Sequence, residues 1–202
     1  ESVNPVERLC YIGRRGMGAL EYDPESNPMV GSNQPLDIAA LVHLANQVLS
    51  EREDLGGLLD SRHDSETVQD ILRVGTSAGG ARAKALVAWN PETGEFRSGQ
   101  LDNPAGFEHW LLKFDGVSNN RDRELADPNG YGLVEYAYSM MASRAGIIMM
   151  PCRLLHEGGR SHFMTRRFDR TEQGRKLHML SLAALCHYDY HDPSSYSYEQ
   201  AL

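Results

Sequence analysis

Between residues 84 and 169 the chain alternates short apolar runs with turn-forming breaks, and this order limits the fold more than any other feature. "KALVAW", "EFRSGQ" and "EHWLLKFD" are too short for stable helices and are separated by "NPETGE" and "LDNPAG", whose Pro, Gly, Asn and Asp suit turns. One long stretch, "GLVEYAYSMMASRAG", then keeps helical spacing, with Leu133, Val134, Ala137, Met140 and Met141 as its apolar side. "MMPCRLLHE" and "SHFMTRRFD" read as two further strands, joined by the hairpin-like turn Glu157-Gly158-Gly159-Arg160. Three strands, a helix and two strands predict an α+β fold, an antiparallel sheet with one long helix against it.

The segment before this region has a different character. Residues 5 to 23 read as a short helix, a glycine-rich turn and an extended piece. From Leu36 to Leu49, Ile38, Leu41, Leu44, Ala45, Val48 and Leu49 keep helical spacing, and Asp64 and Ser65 offer caps for a helix through about Leu72. After residue 171 the chain is polar loop and short helix, and Ser197 with Gln200 forms a capping box that opens a last helix. A chain that begins at Glu1 and stops at a helix start reads as a piece of a longer protein.

Composition narrows the function. With 41% hydrophobic and 24% charged residues the chain has enough apolar mass for a core without disulfides. No run of about 18 apolar residues exists to span a bilayer, and no apolar leader precedes the first helix, so a cytoplasmic protein without membrane association is expected. Cys10, Cys152 and Cys186 are far apart and form no CxxC, which fits a reducing compartment. A net charge of −8 argues against a general nucleic-acid coat protein.

"VGTSAGGARAKALV" places small residues from Ser77 to Ala81 directly before a strand. Gly75 and Gly80 have the Walker A spacing, but Ala81 stands where that motif needs lysine. Two readings stay open: a solvent-exposed connection, or a run of backbone N–H groups forming an anion-binding nest. Lysine is scarce, with Lys84, Lys113 and Lys176 the only ones. Lys84 shares a strand face with Leu86 and Ala88, and Lys113 shares one with Leu111. Paired, these strands would set two ammonium groups beside an apolar strip, charge for phosphates and a floor for a base; unpaired, each lysine snorkels to water. Glu135 sits at the edge of the long helix's apolar side, either as a surface glutamate or as a partner for a strand lysine. In "CHYDYHD", His187 and His191 are four apart, on one face if that stretch is helical, yet Pro193 follows and no HExxH glutamate is present, so no metal site is expected. The arginines from Arg160 to Arg175 read either as a basic face or as ordinary hairpin charges.

"VGTSAGGARAKALV", "HWLLKFD", "LVEYAYSMMASRAGI", "RRFDR" and "HMLSLAALCHYDYHDPSSYSYEQ" occur in the order seen in HipA-like serine/threonine kinases, and "NPVERLCYIGRRGMGALEYDP" resembles the segment preceding that kinase core. The resemblance spans nearly the whole chain. It implies a helical lead-in over 1–73, a kinase-like nucleotide-binding N-lobe over 74–170, and the hinge with the start of a truncated C-lobe over 171–202. It places Ser77 on the family's autophosphorylated serine and Gly79, Gly80, Ala81, Arg82, Ala83 and Lys84 on the phosphate-contacting loop. Lys113 falls on the nucleotide-phosphate lysine, Glu135 on the helix glutamate, and Arg166, Arg167 and Phe168 on the hinge that meets adenine. ATP and Mg²⁺ are the implied cofactors. An antitoxin-like DNA-binding protein and a protein substrate are the implied partners, with nucleic acid reached only through the former. The chain departs from the pattern in one respect: no catalytic-loop Asp with its Asn follows the hinge, and Asp189 and Asp192 do not supply it. No catalytic residue is therefore assigned, and the rival reading is a pseudokinase-like module that binds such a partner.

Overall fold

A computed structural model describes residues 4–26, 34–42, 84–116, 130–189, 191–192 and 196–201. Helix α1, Pro5–Ile12, starts where the sequence says it should: Asn4 and Glu7 form a reciprocal capping box and Pro5 occupies the first turn, where a missing N–H costs nothing. Residues 38–42 are helical, within the span expected to be a helix, with the Asp37 side chain accepting from Ala39 and Ala40 N–H. The helix expected through Leu72 lies outside the described residues.

Five strands form one antiparallel sheet: β1 Lys84–Trp89, β2 Phe96–Ser98, β3 Glu108–Lys113, β4 Cys152–Glu157 and β5 Arg160–Arg166, in the order β2-β1-β3-β5-β4. The long helix α2, Tyr131–Arg144, lies between β3 and β4 in sequence, so the expected strand–strand–strand–helix–strand–strand order is the observed one. Two short helices follow, α3 Leu182–Cys186 and α4 Tyr198–Ala201. At the start of α4, Gln200 Oε1 accepts from Ser197 N–H at 2.8 Å, one half of the expected capping box. The β4–β5 hairpin turns on Gly158 and Gly159, both at positive φ (56° and 72°), the conformation of a two-residue turn that matches strand twist.

One sheet face carries the core. Ala85, Val87, Trp110, Leu112 and Met164 pack with Phe96, Phe114 and, from the 38–42 helix, Ile38, Leu41 and Val42. Trp89 meets Trp110 edge-on at 5.9 Å, a favoured aromatic geometry, and stacks under the Arg153 guanidinium at 4.1 Å. The N-terminal segment is tied to the sheet domain through its main chain. Arg14, Arg15 and Met17 carbonyls accept from Lys176 Nζ, Gln100 Nε2 and Arg167 Nη2 at 2.7, 3.1 and 2.7 Å.

Helix α2 does not bury its apolar side. Its apolar side is turned outward: Leu133, Val134, Met140 and Met141 are all exposed, as is Ala137, while Gly132 and Ser139 are the buried positions. The physical reason lies at its first turn. A Cβ on Gly132 would overlap the Ser161 carbonyl oxygen of β5, so the helix meets the sheet through its smallest residue. The face one and two turns on is then Glu135, Tyr136 and Ser139.

Candidate functional site

The strand register brings the two strand lysines together. Lys84 opens β1, Lys113 closes β3, and antiparallel pairing makes them direct cross-strand partners, with Leu86 opposite Leu111. Cβ atoms of such partners stand about 5 Å apart, where like charges repel. Glu135 from α2 relieves the repulsion: its Oε2 lies 2.8 Å from Lys113 Nζ, with the two side chains about a quarter exposed. Lys113 also stands over the Phe163 ring at 5.6 Å. Lys84 is buried, and its amine is held below the ordinary lysine range by that burial and then by the charge of Lys113, with Glu135 acting in the opposite sense. The Lys113–Glu135 pair thus has a second ammonium group, that of Lys84, on the neighbouring strand.

The structure thus brings together Lys84, Lys113 and Glu135. Ser77, Gly79, Gly80, Ala81, Arg82 and Ala83 lie outside the described residues. The expected apolar floor is closed rather than open: Leu86 is 2% and Ala88 0% exposed. Burial along β1 is continuous from Lys84 to Ala88 instead of alternating, the mark of a strand covered on both faces.

Arg166, Arg167 and Phe168 stand toward the other end of β3. Arg166 pairs in register with Trp110, three residues or about 10 Å along the strand from Lys113. Its guanidinium lies 3.5 Å from Glu108. Arg167 is buried; it grips Asp169 through two bonds of 2.9 and 2.7 Å, and its N–H donates to His109 O. Arg170 shares the same carboxylate at 2.9 Å, and both arginines donate to Met17 O. Burial pushes the Asp169 carboxyl up, but the Arg167 hydrogen bond and charge, followed by the Arg170 charge, hold it below the usual range. A cleft of about 320 Å³ opens here, with His109, Arg166, Arg167 and Arg170 among its walls. Phe168 is 63% exposed.

Two further sequence readings change. Helix α3 ends at Cys186 and His187 is left-handed, φ 55°, so His187 and His191 do not share a helix face; His191 Nδ1 instead lies 3.0 Å from exposed Asp189. The arginines of the supposed basic face include Arg160, Arg166, Arg167 and Arg170, each engaged with carbonyls or carboxylates of the chain itself.

Sequence reasoning passed over Asp115 and His162. Asp115 is 3% exposed and accepts from the Gly130 and Gly132 N–H groups at the start of α2, while its own N–H donates to His162 Nδ1 at 2.9 Å. A signal was present: in "KFD" the aspartate follows the lysine by two, on the same face of an extended chain.

The chain matches the family model of the HipA-like C-terminal domain over residues 76–202. That span is more than half of the sequence, and the chain belongs to the HipA-like family. No curated protein and no solved structure matched it. Among the described residues no helix is long and apolar enough to cross a membrane.

Proposed function

We propose that the chain is the ATP-binding part of a HipA-like serine/threonine protein kinase, the toxin of a toxin–antitoxin pair, built as a kinase-like N-lobe. The observation that carries this reading is the Lys113–Glu135 pair at 2.8 Å, with Lys84 beside it. A strand lysine oriented by a helix glutamate is how a kinase-like site holds nucleotide phosphates. Lys113 would neutralise phosphate charge, Glu135 would aim it, and Lys84 would add a second cation from the end of the glycine segment. The complete protein would pass the γ-phosphoryl group of ATP to a hydroxyl of a protein substrate. Mg²⁺ would share the phosphate charge. Among the described residues no three His, Cys, Asp or Glu converge to hold it, so no step is assigned to it here. Ser77 remains the candidate for self-phosphorylation. With the Arg167 guanidinium and N–H both engaged, exposed Phe168 is what the hinge offers a base.

The test is Lys113→Ala in the complete protein. Nucleotide affinity and phosphoryl transfer should both fall to background, and transfer at the wild-type rate would sink the assignment. The second reading, a non-catalytic pseudokinase-like module binding an antitoxin-like DNA-binding partner, draws on the outward apolar side of α2. It expects Lys113→Ala to leave partner binding and biological effect intact.

A further inference from the structure

The start of α2 has an unusual cap. Its N-cap residue is Gly130, left-handed at φ 110°, which has no side chain with which to satisfy the free N–H groups of the first turn. The acceptor comes instead from just beyond the end of β3. Asp115 Oδ1 and Oδ2 receive the Gly130 N–H at 3.0 and 2.9 Å, and Oδ1 also receives the Gly132 N–H at 3.1 Å. A carboxylate at this terminus also opposes the positive end of the helix dipole.

Asp115 is itself fixed from both sides. His162, fully buried on β5, accepts its N–H, and Arg160 Nη1 donates to its carbonyl at 3.1 Å and to that of Gly116 at 2.7 Å. Behind the clamp, the Ser161 carbonyl leaves no room for anything larger than glycine at position 132. The helix start can therefore neither approach β5 further nor lift away without leaving amides unpaired.

Position along both elements gives this clamp its consequence. Lys113, the last residue of β3, lies two residues before Asp115, at most about 7 Å back along the chain, and both side chains reach α2. Glu135 lies three residues after Gly132, about 4.5 Å along the helix and on the same side. The Asp115–Gly132 and Lys113–Glu135 contacts are two rungs between α2 and the chain at the end of β3. We infer that Asp115 is a positioning residue: by capping α2 from just beyond β3 it sets where Glu135 meets Lys113. The importance of that pair for nucleotide rests on the function proposed above; the coupling between the rungs does not.

The experiment separates the two. The ε-amine of Lys113 is labelled with a neutral acylating reagent at fixed pH in the full chain, and its peptide is quantified by mass against that of Lys176, which is held by Glu21 and Arg14 O at the far side. Asp115→Ala should change the Lys113 labelling rate as much as Glu135→Gln does. The double variant should add nothing further, and Lys176 should keep its wild-type rate. Asp115→Asn keeps Oδ1 for both amides but sets an NH2 group against the Gly130 N–H in place of Oδ2, so it should label closer to wild type than Asp115→Ala does. If Asp115→Ala does not fold, Asp115→Glu tests the same point, since its longer side chain displaces the helix while keeping the charge. A wild-type Lys113 rate in whichever of Asp115→Ala and Asp115→Glu folds overturns the inference. MgATP affinity is then measured on the same proteins. A loss of about tenfold in Asp115→Ala, equivalent to ~1.4 kcal/mol, and a smaller loss in Asp115→Asn tie the clamp to nucleotide. If wild type binds no nucleotide while labelling behaves as stated, the clamp stands and the nucleotide reading falls.

Discussion

The two ends of β3 use the same chemistry to opposite purposes. At the Arg167 end two guanidiniums share one aspartate, every charged side chain of the cluster is at most 5% exposed, and the N-terminal segment closes over it through Met17 O. At the Lys113 end one lysine pairs with a glutamate and a second lysine stands across the strand, with the Lys113 and Glu135 side chains 30% and 23% exposed. Burial and geometry decide the difference. A planar guanidinium held by two parallel bonds to a carboxylate is a finished structural joint, whereas the single Lys113–Glu135 bond leaves both of its partners within reach of solvent. Resemblance to a family places functional residues at both ends; among the described residues the Lys113 end is the more exposed of the two, and the proposal of a phosphate site rests on it. The arginines at the other end hold the molecule together.

Substitutions should separate a joint from a site. The largest effect on stability is expected for Arg167→Met, which leaves Asp169 buried with half its partners; breaking a buried pair costs about 3–5 kcal/mol, read as a lower midpoint in chemical denaturation. An unchanged midpoint would mean that the cluster is not the joint described. Gly132→Ala comes next, because its methyl group must displace the Ser161 main chain. A cost of about 1–3 kcal/mol is expected, and a neutral result would show that the helix start has slack. Lys113→Met should be smallest in stability, within about 1 kcal/mol, since a partly exposed ion pair contributes little. If Lys113→Met unfolds the protein as Arg167→Met does, the distinction between the two ends disappears.

Acid sharpens the comparison further. His162 and His109 both have pKa values depressed below the ordinary 6.5, in each case first by burial. For His162 the Arg160 charge adds to this, while the charges of Asp115 and Glu157 oppose it. An unfolded chain therefore binds these protons at a higher pH than the folded one. The associated stability is complete above about pH 6.5 and is lost as pH falls through the lower folded values. Chemical denaturation between pH 7 and 5 should show this decline, and His162→Gln, which offers a non-titrating acceptor to Asp115 N–H, should make it shallower. A stability flat across that range would contradict the assigned neutral state of His162.

Much of the sheet was legible because its signals are local. "NPETGE" and the Gly158-Gly159 pair are turn chemistry; alternation in "KALVAW" sets Lys84 on one face with Leu86 and Ala88, and in "EHWLLKFD" it sets Lys113 opposite Trp110. That the two lysines are direct partners depends on register, which those segments do not state. The orientation of α2 is not legible because its apolar residues outnumber the small ones on the side that is buried. A contact made through Gly132, on a side whose other buried residue is Ser139, leaves no hydrophobic signature. Arg167 was ambiguous for a related reason: the same guanidinium serves a ligand or a neighbouring aspartate, and only burial distinguishes them. The Asp115 clamp joins residues fifteen apart across a connection, beyond the reach of any periodicity.

The N-terminal segment is gripped by its carbonyls, and this has a consequence for how its sequence can vary. Arg14, Arg15 and Met17 present main-chain oxygens to Lys176, Gln100, Arg167 and Arg170. A carbonyl belongs to every amino acid, so these fastenings do not depend on which side chain stands at the gripped positions. The donors on the sheet domain are the discriminating partners. Drift in the strap should pass unnoticed at these three oxygens, while a single change among the four donors would loosen it.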